Sequence, residues 1–353
     1  MKAAFLVAAQ IFEIREMPEP ALPPDGLVLR VMACGICGSD LRRWKEGPPQ
    51  GQDILAGHEI AGIVVEVGAQ VRGFSVGDRL AVAPDVHCGH CYYCQRGRFN
   101  LCDDLRLIGI TPGYPGGFAE KMVLTREILQ NGVVHHLKRG MDFVEGALAE
   151  PASSVLATHA RLGTSLGDVV VVMGAGPIGC LHMSVAHSRG AMVILSEPST
   201  PRREMAQSFS PELLVDPTHE DLANAVQSFT SGRGADKVIC ANPVAATQTQ
   251  AVEIVRKGGQ VVLFGGLNKA DPITHLDGNR IHYGEIEVLG SFSYHPTFHE
   301  LALETVSRKQ IPTDQLVTHT FPIEAINQAF EVAASGLTLK VIIMIDHPIQ
   351  DNA

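Results

Sequence analysis

Residues 168–198, DVVVVMGAGPIGCLHMSVAHSRGAMVILSEP, decide the fold. A continuous apolar run, a glycine turn, a helix-like stretch and a second apolar run make a βαβ unit whose parallel strands are covered on both faces. Gly174, Gly176 and Gly179 stand in a G-x-G-x-x-G spacing, with Pro177 and Ile178 opening the helix. After a strand and before a helix this pattern marks a dinucleotide site: glycine lets the backbone approach a pyrophosphate, and the helix N-terminus adds free amides and a positive dipole end. A plain tight turn would explain one glycine, hardly three. About 20 residues further on, the pattern expects an acid for the adenosine ribose. Glu197 occupies that place, and its carboxylate would repel a 2′-phosphate, favouring NAD. Arg202 and Arg203 keep NADP as the alternative.

Working outward, ADKVICAN, GQVVLFGG and IEVLGSF read as further strands. The helical stretches THEDLANAVQSFTS and AATQTQAVEIVRK separate them, continuing a doubly wound sheet to about residue 294. The first part of the chain instead carries short β-type runs punctuated by glycine: LVLRVMACGICGSD, HEIAGIVVEVGAQV and FSVGDRLAVAP. Two domains suit 353 residues. With 45% hydrophobic and 19% charged residues the chain is an ordinary globular one. A formal net charge of −10 speaks against nucleic acid as a partner. Glu13, Arg15 and Glu16 interrupt the first apolar stretch before a signal-peptide core can form, and VVVVMGAGPIGCL is too short and glycine-rich to span a bilayer. The expectation is a cytoplasmic protein without a membrane partner.

Four of the eight cysteines fall within residues 88–102. In a reducing compartment such crowding points to metal thiolates. Cys88, Cys91, Cys94 and Cys102 form C-x2-C-x2-C-x7-C, four soft ligands that close a tetrahedral zinc site and leave no vacancy for substrate, so its role is structural. An iron–sulfur cluster is the competing tenant. His87 and His90 could replace a ligand or lie on the loop surface.

Cys37 in CGICGSD, His58 and Glu59 in AGHEIAG, and Glu150 in ALAEPAS supply the mixed S, N and O donors of a zinc site with an open position. Each alone has a bland reading as a core thiol, a satisfied imidazole or a solvated charge. Cys34 and Cys37 could also be a C-x-x-C redox pair, though without its usual context.

The ordered string GICGSD, GHEIAG, GDRL, CGHCYYC, GGFAE, EPASSVLATHA and GAGPIG resembles the zinc-containing medium-chain dehydrogenases over nearly the whole chain. Within them, Glu59 and the Glu150-Pro pair look closest to the sorbitol and threonine dehydrogenase branch. The resemblance implies a GroES-like, mostly β catalytic domain over residues 1–155, completed by 295–353, and an NAD-binding Rossmann domain over 156–294. It implies Cys37 and His58 as catalytic zinc ligands, with Glu59 and Glu150 as the variable pair. Ser39 resembles the proton-relay hydroxyl; a turn-capping serine is the other reading. Arg202 resembles a ribose-gripping arginine, and Phe264, Gly265, Ser291 and Phe292 fall near the nicotinamide by the same analogy. Many relatives place a histidine where this chain has Arg42. Arg42, Arg43 or solvent could end the relay instead, and an arginine there could meet an anionic substrate group. Trp44 and Phe118 line a pocket or pack in the core. One catalytic and one structural zinc per chain, and a homo-oligomer, either tetramer or dimer, complete what the resemblance implies.

The expected activity is hydride transfer between a polyol or secondary alcohol and NAD, in which the metal lowers the pKa of the hydroxyl that must be oxidised. A threonine 3-dehydrogenase-like or simple alcohol dehydrogenase is the alternative. A dinucleotide-binding protein without activity would have no use for Cys37, His58, Glu150 and Ser39 together.

Overall fold

The computed structural model describes residues 1–345; the last eight residues of the expected C-terminal tail, 346–353, lie outside the described residues. The chain divides into two compact units. The first comprises Met1–Ser153, Tyr294–Lys309 and the chain from Val317 onward; the second comprises Ser154–Ser293 and Gln310–Leu316.

The first unit is mostly β. Strand Leu27–Gly35 pairs antiparallel with Glu59–Val67, which pairs in turn with Arg79–Ala83 and, beyond it, Val133–His136. On its other side it meets Lys340–Met344, which runs parallel to Val317–Pro322. The glycine-punctuated runs of the sequence are therefore the strands of one sheet, closed by the last apolar run of the chain. Phe12, Trp44, Phe118 and Phe330 cluster in its core, with ring centroids 4.6 to 6.2 Å apart. Trp44 and Phe118 are thus packing residues, 5% and 0% exposed.

The second unit carries six parallel strands in the order Leu213–Val215, Met192–Ser196, Val169–Met173, Ala235–Cys240, Val255–Leu263, Glu287–Gly290. The order reverses beside Val169–Met173, the strand that feeds the glycine turn, which makes the turn the switch point where such sheets bind ligands. Valines 169–172 are buried on both faces, as their unbroken apolar run requires. The helix expected to run to Lys257 ends at Ile254, and strand begins at Val255. Gly258 takes a φ of +64° just beyond, and a Cβ at Gly259 would press on Val255 and on backbone, so the chain turns into the sheet there.

Among the described residues no helix is long and apolar enough to cross a membrane.

Candidate functional site

The cysteine loop folds on itself through short-range hydrogen bonds. The Cys88 amide donates to Cys102 Sγ (3.3 Å), that of Cys91 to Cys88 Sγ (3.4 Å) and that of Cys94 to Cys91 Sγ (3.5 Å). The four sulfurs lie within 4.8 Å of one another, with Cys88 to Cys94 at 4.0 Å and Cys91 to Cys102 at 3.9 Å. Four thiolates about 2.3 Å from a central zinc would sit about 3.8 Å apart, so the quartet fits that ion. Amides aimed at sulfur favour the thiolate form. Neither histidine joins the set: His87 packs at a tilt on Phe99, with ring centroids 4.2 Å apart, and exposed His90 pairs with the Cys88 carbonyl through Nδ1. Among the described residues this is the one group of three or more donors drawn so close.

Cys37, His58, Glu59 and Glu150 are gathered differently. Cys37 precedes the helix Gly38–Glu46, and its amide donates to Asp40 Oδ2 at 3.0 Å. The same carboxylate faces His58, with Oδ1 3.4 Å from Nδ1, while Ser39 Oγ lies 3.4 Å from Nε2. His58 is 3% exposed; burial opposes its protonation, but Asp40 and the Cys37 sulfur outweigh burial and hold its pKa well above the usual value. The Asp40–His58 contact is of the kind that orients a metal-binding imidazole from behind.

Glu59 is fully buried, and its Oε1 accepts a hydrogen bond from Lys340, whose Nζ also donates to the Ile36 carbonyl at 2.9 Å. Oε2 is buried without a partner, in the space that a Cβ on Gly35 would fill. A buried carboxylate oxygen without a partner is costly unless a cation meets it, and Glu59 with the His58 imidazole and the Cys37 thiol offers the donor types of a zinc site, although the set is not drawn together as the cysteine quartet is. Glu150 opens the helix Ala149–Leu162 and accepts from the Tyr294 hydroxyl at 3.3 Å. Burial pushes its pKa up to about 8; His58 pulls it down and the Glu59 charge raises it again.

In the second unit Gly174 has a φ of +114°, open to glycine and strained for other residues. A Cβ on Gly179 would collide with the Gly174 carbonyl, whereas one on Gly176 would meet nothing within 4 Å. Two glycines therefore build the turn, and the third leaves its outer face open to an approaching group. Pro177 and Ile178 begin the helix that ends at Ser188. Glu197 is 4% exposed: Oε2 accepts from the Ala175 amide (2.7 Å) and Oε1 from that of Ser199 (2.9 Å). Arg203 is committed to the Glu197 and Pro198 carbonyls and to Asp216. Arg202 is half-buried and makes no hydrogen bond or ion pair among the described residues. The Gly265 amide donates to the Cys240 carbonyl, Phe264 lies edge-on to His182, and Ser291 Oγ meets Thr158 Oγ1 at 2.7 Å, while Phe292 is 58% exposed.

Residues 23–133 match the family described as alcohol dehydrogenase GroES-like domain, and residues 177–308 match that described as zinc-binding dehydrogenase. A sorbitol dehydrogenase of Halalkalibacterium halodurans is 33% identical over 336 residues, covering 94% of this chain and 95% of that protein. The chain belongs to the zinc-containing medium-chain alcohol dehydrogenase superfamily. A D-arabitol-phosphate dehydrogenase of Enterococcus avium is 32% identical, covering 93% of this chain and 92% of that protein. A protein of Sinorhizobium meliloti 1021, solved bound to NADP, has a TM-score of 0.89 at 32% identity, covering 98% of this chain and 99% of that one.

This dehydrogenase is zinc-dependent and of the polyol and alcohol type, and its cysteine quartet is the structural zinc site. The expected GroES-like unit and doubly wound parallel sheet are the fold found. Three residues beside the candidate site escaped the sequence reading: Asp40, Lys340 and Tyr294. Asp40 had a local signal, an acid three residues after the position that caps a helix. Lys340 and Tyr294 had none, since they are 281 and 144 residues from the groups they meet.

Proposed function

We propose that this dehydrogenase oxidises a polyol or secondary alcohol with NAD, through a zinc held by Cys37, His58 and Glu59, with Glu150 the alternate carboxylate. The observation that carries the reading is the buried, unpartnered Glu59 Oε2, on the residue that follows His58, whose imidazole interacts with the Cys37 sulfur. When bound, zinc there would supply a Lewis acid that lowers the pKa of the substrate hydroxyl, and a nicotinamide would supply the hydride acceptor. The chain's own residues do the rest. Asp40 fixes the His58 ring, and Lys340 holds one Glu59 oxygen so that the other faces the site. Ser39, against His58 Nε2, takes the hydroxyl proton and passes it outward. In the second unit, Gly176 admits the pyrophosphate, the Glu197 carboxylate receives the ribose hydroxyls and Arg202 grips the ribose. Phe264, Gly265, Ser291 and Phe292 serve the nicotinamide end. Arg203 is engaged by Asp216 and is a poor receptor for a 2′-phosphate, whereas Arg202 is unpaired among the described residues, so the preference for NAD rests on the Glu197 carboxylate. Zinc thiolates at Cys88, Cys91, Cys94 and Cys102 suit a reducing, cytoplasmic setting, and a homo-oligomer is the assembly proposed.

The test is zinc content together with turnover of sugar alcohols, threonine and simple alcohols, with NAD and with NADP, followed by nicotinamide absorbance. Two zincs per chain and NAD-linked polyol oxidation are expected. One zinc per chain, with no alcohol turned over, would defeat the proposal; threonine as sole substrate would overturn the substrate class.

A further inference from the structure

Ser39 and Arg43 lie four residues apart on the helix Gly38–Glu46, hence on one face and about 6 Å apart along its axis. Ser39 meets His58, while Arg43 lines a cavity of about 480 Å³ within the first unit. Gln52, Asp53, Gly109, Thr111 and Tyr114 are among its other walls. That cavity is built from the segments that carry the candidate site. Gly109 packs so closely on the Gly57 carbonyl, next to His58, that it has no room for a Cβ, and the Gly117 amide donates to the same carbonyl at 2.8 Å.

Arg43 is half-buried, and its guanidinium makes no hydrogen bond or ion pair among the described residues. The acid in the cavity wall is taken: Asp53 Oδ2 is held by Arg15 Nη1 at 2.7 Å. Two other polar walls are also engaged. Thr111 Oγ1 accepts from the Leu107 amide (2.9 Å), and the Tyr114 hydroxyl donates to Glu127 (2.8 Å). A basic residue in the last turn of a helix is ordinarily explained by the helix dipole. Exposed Lys45 meets that need from solvent, whereas a half-buried guanidinium that lines a cavity and pairs with no acid lacks such an account. Its five donors suit two groups above others, phosphate and carboxylate.

We propose that Arg43 anchors an anionic group, phosphate or carboxylate, at the end of the substrate chain remote from the carbon that is oxidised. This rests on the reading of Cys37, Ser39 and His58 as the oxidation site. The substrate is then a sugar-alcohol phosphate or a sugar acid, with its anion one helical turn from Ser39.

The zinc-replete enzyme is assayed with NAD on hexitols, their terminal phosphates and the corresponding aldonates. An anionic series is expected to exceed the free hexitols in kcat/KM by about tenfold or more, and the series that leads tells phosphate from carboxylate. Arg43→Gln should collapse that preference about 10- to 100-fold, mainly through KM, and Arg43→Lys should restore part of it. Free hexitols used as well as both anionic series, or an equal loss on neutral and anionic substrates in Arg43→Gln, would overturn the proposal. If no polyol of any kind is oxidised, the oxidation reading itself has failed, and calorimetric titration with inorganic phosphate decides about Arg43. Binding to the wild type that Arg43→Gln abolishes supports the anion site; binding alike in both, or in neither, refutes it.

Discussion

Acidification should unfold the second unit through two histidines that cannot be charged where they lie. His159 and His182 are both 0% exposed; His159 Nε2 is 3.2 Å from His182 Nδ1, and His159 Nδ1 is 2.9 Å from Thr164 Oγ1. His182 Nε2 is buried without a partner. Burial drives the His159 pKa down from 6.5 to about 3, and burial with the neighbouring imidazole takes that of His182 well below 6.5. Since the folded-state values lie below those of the unfolded chain, the unfolded chain takes up protons first. This contribution is therefore intact above pH 6.5 and is lost as pH falls from there toward about 3. Each histidine removes about 1.4 kcal/mol per pH unit in that window, so at pH 5 the pair costs about 4 kcal/mol. Against a typical stability of about 5–15 kcal/mol that is a large share. Urea unfolding followed by far-UV circular dichroism at pH 7.5, 6 and 5 would measure it. The His159→Gln/His182→Leu variant should begin less stable and decline less steeply. An identical decline in variant and wild type would refute the reasoning, because the other acid-sensitive groups, the zinc thiolates and the pair of half-buried His135 and buried His299 included, are common to both proteins.

Cys37→Ser should abolish turnover while leaving the fold and dinucleotide binding in place. Cys91→Ser should lower zinc content by one per chain and destabilise the first unit; zinc analysis with thermal unfolding separates the two, and like behaviour would dissolve the division into catalytic and structural metals. Lys340→Met leaves the fully buried Glu59 carboxylate without its counter-charge and should cost about 3–5 kcal/mol in denaturant unfolding. Adding Glu59→Gln should return most of that loss, and a strictly additive double variant would show that the two residues are not coupled.

The parts of the molecule that were legible in the sequence are those whose partners are close along the chain. The βαβ unit declares itself within residues 168–198, because an unbroken valine run, three glycines and an acid after the next strand each need the others at fixed spacing. The cysteine quartet spans only residues 88–102, and its hydrogen bonds join residues up to 14 apart. Helix phase was harder to read. Arg42 drew attention by its position in the motif, yet it is exposed, and Arg43 lines the cavity because the helix begins at Gly38. Long-range pairing was not readable at all. Nothing near Glu59 announces that a lysine in the last strand will neutralise one of its oxygens, and nothing near Trp44 or Phe118 says that Phe330 will cover them.

Glu197, the acid proposed for the ribose, has a structural task that a substitution there would also remove. Its oxygens brace the amides of Ala175, inside the glycine turn, and of Ser199, at the start of the next helix. Exchanging it for a small or basic residue in order to admit a 2′-phosphate would also unfasten the loop on which the rest of the dinucleotide must rest. A lineage moving between the two nicotinamide cofactors from this starting point would first have to rebuild that brace from another residue.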